Sequence, residues 1–437
     1  MKNFFEARTI AVVGASRSKE KVGRVIFDNL RENSMLRVFP INPKADMIAG
    51  FKSYGSVLDI PYVVDMAVIA VPAAAVPGII EECGRKGIKK VIIISAGFSE
   101  AGNTGLSKRV SETAEKYGIK VIGPNVLGIV NPYKNINASF FKGMPEKGNV
   151  GMILQSGAVG TALLDKCLEE HLGISAFVSL GNMMQQDFLP ALEYFENDVR
   201  TGVIVLYVEA LKQGTGKEFI ELCKKISKKK KIIAVKAGKT EQGIKAAMTH
   251  TASLSSEAGI YSGAFKQAGI IEVESLEDAF LLAKIFSKFQ TLGKKAGIIT
   301  NAGGLGVLAV DSLARAGFEI PAIPDNVLKE LDLFLPKGYS RANPLDILGD
   351  ALAERYEKTL RVLLKHNVFD FFVVIVSPQE MTQPIETVQL IAKYNTPIFA
   401  CFIGGKSFGK AKWLLREKGV VSFDDVSELR VLGKIKS

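Results

Sequence analysis

Two residues of this chain have the types needed for nucleophilic chemistry with a charged assistant. His250, one of only three histidines, stands in MTHTASLSS (Met248 to Ser256), a stretch of small residues. Neutral imidazole is a competent nucleophile near pH 7 because its ordinary pKa is about 6.5, and an acceptor on its second nitrogen fixes the tautomer. Glu209 is the candidate acceptor. It ends the apolar run in VIVLYVEAL, where a carboxylate is costly unless it has a partner. At this level the pair also reads as a surface-loop histidine and a helix-capping carboxylate. The other two histidines read as structural: His171 follows CLEE at a helix end, where a partly positive imidazole suits the dipole, and His366 lies in a helix-to-strand connection.

A second group of residues could hold anions. Gly14 follows an apolar run in VVGASRSKEKVGRVIFDNL, so the next helix would present unpaired backbone N–H groups to a phosphate. Gly14 and Gly23 are too far apart for GxGxxG, and the second run ends in INPK, where a dinucleotide enzyme usually carries an acidic residue for the ribose. Lys44 there favours negative charge. It would suit an extra phosphate on a dinucleotide, but no hydride-transfer dyad accompanies it. Gln155, Ser156 and Gly157 precede a helix expected over Val159 to Glu170, with Ser156 as its cap, and Asn301 to Gly306 repeats the arrangement. Cys83, Cys167, Cys223 and Cys401 form no CxxC pair, and no HxxxH or nucleophile elbow is present, so no metal site, disulfide framework or serine triad is expected.

These residues need elements to position them. TIAVVGA, RVFPINP, DMAVIAVP, KVIIISAG and IKVIGPN alternate with helical patterns and end in Gly, Pro, Asn or Ser. That is the rhythm of a doubly wound parallel sheet, whose ligands sit at the carboxyl ends of the strands. Two later units open at about Gly148 and Lys294, and aligning Gly157 with Gly303 and Gly160 with Gly306 makes them an internal repeat. The expected fold class is α/β, a Rossmann-like domain over residues 1–145 followed by two flavodoxin-like parallel-sheet domains over 146–288 and 289–437.

Composition agrees with such a fold. A chain of 437 residues is too long for one ordinary core, and 47% hydrophobic residues suit strands buried on both faces. The formal charge of +11 draws anions to clefts. Six lysines between Lys224 and Lys231 carry no interleaved aromatics and read as a solvated face, so no nucleic-acid partner is expected. The N-terminal MKNFFEARTIAVVGAS is too short a run for a signal peptide, and Pro72 and Pro77 break the apolar stretch from Met66 to Ile80. No membrane association and a cytoplasmic location are expected.

Taken together, the motifs resemble the NDP-forming acyl-CoA synthetases, the superfamily of succinyl-CoA synthetase, and most closely the α subunits of its ADP-forming acetyl-CoA synthetase branch. VVGASR, INPK, VIAVP, ISAGF and IGPN resemble that family's CoA-binding domain; LQSGAVG, YVEAL and MTHTASL its phosphohistidine-bearing domain; TNAGGLGVLAVD and NPLDILG its further CoA-ligase domain. The resemblance implies that His250 is phosphorylated and that Glu209 orients its imidazole. It implies phosphate at Gln155, Ser156 and Gly157, Asn125 at the acyl site, and CoA contacts at Gly14, Ser16, Arg17, Lys44, Val71, Pro72, Ala96 and Gly97. The implied reaction is acyl-CoA + ADP + phosphate ⇌ carboxylic acid + ATP + CoA, through acyl phosphate and phosphohistidine. ADP/ATP with Mg²⁺ would bind a β subunit carrying an ATP-grasp domain, in an α2β2 heterotetramer. The alternative is a non-catalytic CoA-binding regulatory protein of the same fold. Ala252 stands in HTAS where the family commonly has HTGS; it stiffens the loop slightly without touching the chemistry.

Overall fold

The computed structural model describes residues 1–243 and 258–435. Their contacts divide the chain into two compact units, Met1–Ala283 and Lys284–Ser437.

The first unit opens with β1 (Thr9–Val13), α1 (Val22–Arg31) and β2 (Arg37–Ile41), then a short antiparallel hairpin of β3 (Met47–Ile48) and β4 (Phe51–Lys52). β5 (Met66–Ile69), α2 (Val76–Lys86), β6 (Lys90–Ile93), α3 (Thr104–Tyr117) and β7 (Lys120–Ile122) complete a five-stranded parallel sheet of order β2-β1-β5-β6-β7. The chain winds one way from β1 to β2 and the other way from β5 onward. The carboxyl ends of β1 and β5 therefore flank the crevice of a doubly wound sheet. The β-branched runs form strands because helices cover both faces: Ile10, Val12, Val68 and Ile92 lie in one buried cluster and Ala11, Ile69, Val91 and Ile93 in another. In α1, Ile26, Phe27 and Leu30 are fully buried while Asp28 pairs with Arg24 at 2.8 Å, the amphipathic division expected of a helix lying on a sheet.

The second sheet of this unit contains β8 (Gly128–Asn131), β9 (Ile136–Ser139), β10 (Lys147–Leu154), β11 (Ile174–Ser179), β12 (Val203–Val208), β13 (Lys231–Lys236) and β14 (Ile271–Val273). Its order is β14-β13-β12-β10-β11-β8-β9, with β8 antiparallel to β11 and β9 antiparallel to β8. Helices α4 (Gly157–Glu169), α5 (Phe188–Asn197), α6 (Gly216–Ile226), α7 (Ala258–Gln267) and α8 (Leu276–Phe286) accompany it. The two sheets share one buried cluster that runs from Ile10 and Phe27 to Ile153, Val178 and Phe265. The β9 edge is covered by α1: the Asn29 side-chain amide donates to the carbonyls of Ser139 at 2.9 Å and Phe141 at 2.8 Å. That covers an edge which would otherwise offer unpaired backbone groups.

The second unit is built likewise. β15 (Ala296–Thr300), β16 (Leu345–Asp346), β17 (Phe371–Val376), β18 (Ile398–Phe402) and β19 (Val421–Phe423) form a five-stranded parallel sheet of order β16-β15-β17-β18-β19. α9 (Gly303–Arg315), α10 (Asp325–Leu331), α11 (Ala353–Lys365), α12 (Pro384–Ile391) and α13 (Gly409–Glu417) surround it. The internal repeat has a structural counterpart, since Gly157 and Gly303 are the first residues of α4 and α9. Gly160 and Gly306 each face a close neighbour: a Cβ would lie 2.7 Å from the Phe177 ring in one and 3.1 Å from the Thr300 methyl in the other. The helix expected to start at Val159 starts two residues earlier, because Ser156 caps it by accepting from the Val159 N–H at 3.4 Å.

The lysine run is more than a solvated face. Lys224 and Lys225 close α6, Lys225 pairs with Glu196 at 2.7 Å, and Lys230 donates to the carbonyls of Phe195 and Asp198 at the end of α5. His171 and His366 each meet a carboxylate, Glu146 at 2.7 Å and Glu330 at 2.8 Å.

Candidate active site

The first unit encloses a cavity of about 1010 Å³ between the carboxyl ends of its two sheets. Of the residues singled out in the sequence, Val71, Ala96, Asn125, Gln155, Ser156, Gly157 and Glu209 line it together. Each stands just past a strand: Val71 after β5, Ala96 after β6, Asn125 after β7, Gln155 to Gly157 after β10, and Glu209 after β12. Parallel pairing brings the ends of β5, β6 and β7 to one side of the first sheet and those of β10 and β12 to one side of the second, and the cavity lies where the two sets meet.

Gly14, Ser16, Arg17, Lys44, Pro72 and Gly97 lie in the connections leaving β1, β2, β5 and β6 but do not line the cavity. Gly14 has φ +92°, and a Cβ there would lie 2.4 Å from the Ala70 carbonyl oxygen, so the tight turn after β1 tolerates no side chain. The β1 and β2 turns are tied together by the Asn42 amide, which donates to the Ala15 carbonyl at 2.8 Å, and the Asn42 carbonyl oxygen accepts from the Lys44 N–H at 2.9 Å. Arg17 and Lys44 are exposed. Their charge reaches solvent at the lip of this sheet, which favours anionic ligands.

α4 borders the cavity from its N-cap along one face. Ser156, Gly157, Ala158, Thr161, Ala162 and Asp165 all line it. The first N–H groups of a helix have no carbonyl partner inside it and carry the positive end of the dipole, so this end stabilises an oxyanion. Gln155 is only 6% exposed, and its side-chain oxygen accepts from the backbone N–H groups of Glu209 at 2.8 Å and Ala210 at 3.1 Å. The sequence reading placed Gln155 with the phosphate ligands; in the fold this oxygen anchors the backbone carrying Glu209.

Glu209 is 8% exposed and stands in the cavity wall. Among the described residues it does not cap α6, the next helix, which starts at Gly216 with Thr215 before it. Lys236, at the end of the neighbouring β13 and 4% exposed, donates to the Glu209 carbonyl at 2.8 Å and to the Ala237 carbonyl. Burial holds its ammonium below the usual lysine range against the opposing pull of the Glu209 charge. Burial, and then that same charge, push the Tyr207 phenol up. His250 lies outside the described residues, in the connection between Lys236 and Ala258.

Gly181, Asn182 and Glu100 also belong to the site and were not singled out in the sequence. Gly181 (φ +54°) follows β11, and a Cβ there would lie 2.3 Å from the carbonyl oxygens of both Pro124 and Asn125. Asn182 bridges the Asn125 side chain, at 3.5 Å, and the Glu100 carboxylate. Glu100 in turn accepts from the N–H groups of Gly97 at 2.6 Å and Phe98 at 3.2 Å. Burial pushes its carboxyl up, but these hydrogen bonds outweigh it and hold the group below the usual carboxylate range. The small-residue strand end SLGN was the available signal, of the same kind as LQSG. Among the described residues, no group of three or more His, Cys, Asp or Glu could hold a metal ion.

Three family models cover most of the chain: a CoA binding domain over residues 8–132, a succinyl-CoA ligase like flavodoxin domain over 147–286 and a Ligase-CoA domain over 296–434. The chain is 38% identical to the α subunit of acetate–CoA ligase [ADP-forming] II of Pyrococcus furiosus, over 96% of this chain and 94% of that one. The chain belongs to the ADP-forming acetate–CoA ligase family. Another member of that family, the acetate–CoA ligase [ADP-forming] of Methanocaldococcus jannaschii, is 44% identical over 95% of this chain, which spans 60% of its length. The dinucleotide forming acetyl-coenzyme A synthetase 1 of Ca. Korarchaeum cryptofilum, solved in complex with phosphate and ADP, superposes with a TM-score of 0.92 at 36% identity, over 99% of this chain and 95% of that one. For this ligase-family chain, as for the expected fold class, the architecture is α/β with parallel-sheet domains, the first of them CoA-binding. Among the described residues no helix is long and apolar enough to cross a membrane.

Proposed function

We propose that this chain is the α subunit of an ADP-forming acyl-CoA synthetase acting on acetyl-CoA or a related thioester. Phosphate held at Ser156 and Gly157 attacks the thioester carbonyl, the carbon–sulfur bond breaks, and CoA leaves as its thiolate. The product is acyl phosphate. The neutral His250 imidazole then attacks phosphorus, the carboxylate leaves, and phosphohistidine remains, to be discharged to ADP with Mg²⁺ on an ATP-grasp domain of a β subunit. Such transfers depend chiefly on positioning and electrostatic stabilisation, which the N-terminus of α4 supplies. CoA is assigned to Gly14, Ser16, Arg17, Lys44, Val71, Pro72, Ala96 and Gly97, and the acyl carbonyl to the neighbourhood of Asn125. The α2β2 assembly, the three-domain division at 145 and 288, and a cytoplasmic location belong to the same proposal.

The observation that carries it is the meeting of Glu209 with Ser156 in one cavity wall, beside the strand from which the connection holding His250 departs. A buried carboxylate at that position can hold the imidazole tautomer and stabilise its phosphorylated, positively charged form. Incubating the subunit and its β partner with γ-labelled ATP should give acid-labile phosphate on the chain. His250→Ala should abolish both label and turnover, and Glu209→Gln should reduce phosphoenzyme with CoA binding intact. Acetyl-CoA formation by the His250→Ala protein would overturn the reading, and CoA binding without any phosphoenzyme would leave a binding protein in place of an enzyme.

A further inference from the structure

The backbone of Glu209 is gripped from both neighbouring strands, since β12 lies between β10 and β13. From the β10 side the Gln155 oxygen takes its N–H at 2.8 Å. From the β13 side the Lys236 ammonium donates to its carbonyl at 2.8 Å and to that of Ala237. Strand pairing ends with Val208 opposite Lys236, so the ammonium ties the two chains where the ladder stops. The Tyr261 ring of α7 faces it as well, with 4.6 Å from nitrogen to centroid. A neutral amide could tie two carbonyls equally well, whereas burying an ammonium is costly. What the charge adds is a counter-ion for a carboxylate that is itself buried. Of the other charges in range of Lys236, Lys239 and Glu272 pair with each other at 2.8 Å and offset one another, which leaves Glu209 as its opposing charge. Tyr207, which also feels the Glu209 charge, is a phenol whose proton is held more tightly for it.

We infer that Lys236 is a positioning residue for the phosphoryl transfer: it aims Glu209 through the backbone and keeps its carboxylate charged for the imidazole. The inference rests on the proposed role of Glu209. Lys236 does not line the cavity and acts only through that carboxylate. An opposite charge at close range lowers the pKa of a carboxyl group by about 1 or more, so removing this ammonium should leave Glu209 protonated over a wider range of acid pH.

The test compares Lys236→Met, which keeps an unbranched stem and removes the charge, with Lys236→Arg, which keeps the charge. Carbon-13 titration of the Glu209 carboxyl in the full chain, its resonance assigned by loss in Glu209→Gln, should give a pKa higher by about 1 in Lys236→Met and close to the parental value in Lys236→Arg. With the β partner, the acid limb of phosphoenzyme formation should move up by the same amount in Lys236→Met only. There kcat should fall about tenfold, the factor that a pKa change of 1 represents, with KM for CoA within about twofold of the parent. An unchanged Glu209 titration in Lys236→Met would overturn the inference, and so would an equal displacement in both variants. A displaced titration with a parental phosphoenzyme rate would instead defeat the role given to Glu209.

Discussion

Replacing Gln155 by alanine removes the one oxygen that accepts from two neighbouring amides, those of Glu209 and Ala210. A buried N–H left without a partner costs about 1–3 kcal/mol, so two would cost about 2–6 kcal/mol in a dry interior. Here the vacated space opens on a cavity of about 1010 Å³, and water entering it recovers much of that loss. The net expectation is the loss of two ordinary hydrogen bonds, about 1–3 kcal/mol. The assay must be local. Trp413, the single tryptophan, lies in the other unit, so its fluorescence does not report on this wall. Amide hydrogen exchange of a peptide spanning residues 203–211 should speed up about 5- to 150-fold at positions 209 and 210, the equivalent of 1–3 kcal/mol. Phosphoenzyme formation should fall with it, because the Glu209 backbone is no longer held. Gln155→Glu keeps the acceptors but sets a second carboxylate beside Glu209; it should retain most exchange protection while losing activity, partly recovered as pH is lowered. Parental exchange at 209 and 210 in the Gln155→Ala protein would refute the reasoning.

Burial pushes the thiols of Cys83, Cys167 and Cys223 up to about 12, and that of Cys401 higher; a thiol reagent at pH 8 should therefore find none in the native protein and all four after denaturation, and rapid native labelling would contradict that packing. Glu100 has a depressed folded pKa, so its stabilising tie is fully present above the unfolded carboxylate value of about 4.3 and is lost as pH falls through the lower folded value. The destabilisation by Glu100→Gln, followed by urea titration, should be largest at neutral pH and shrink below about pH 4; a pH-independent difference would exclude the linkage. Asn29→Ala removes two donations to the covered sheet edge and should cost about 1–3 kcal/mol, read as faster exchange over residues 136–141, with unchanged protection there as the contrary result.

Much of the candidate site was legible because parallel sheets write it into the chain in a regular way. Ser156 and Glu209 each follow an apolar run and stood out from the residues themselves, whereas Val71, Ala96 and Asn125 came only through the family resemblance. A parallel sheet brings its own strand ends to one edge, but the meeting of two such edges in one cavity is tertiary. Glu209 stood out for a simple reason: a carboxylate ending VIVLYV is costly without a partner. Gly181 and Asn182 were missed because SLGN looks like any strand-end turn until the Pro124 and Asn125 carbonyls are found against it. Gln155 was legible as a site residue but not as a backbone anchor, since its partners lie 54 and 55 positions away.

Alternation of β-branched runs with amphipathic helices therefore determined the fold class, the strand ends that bear the chemistry and the repeated strand–glycine–helix units, because periodicity and turn residues are local properties. Tertiary structure alone decided that β8 and β9 extend the second sheet beneath α1 and that Lys236 braces the Glu209 backbone from the next strand. Those outcomes depend on which distant surfaces find each other when apolar faces are buried, and no short window of residues carries that information.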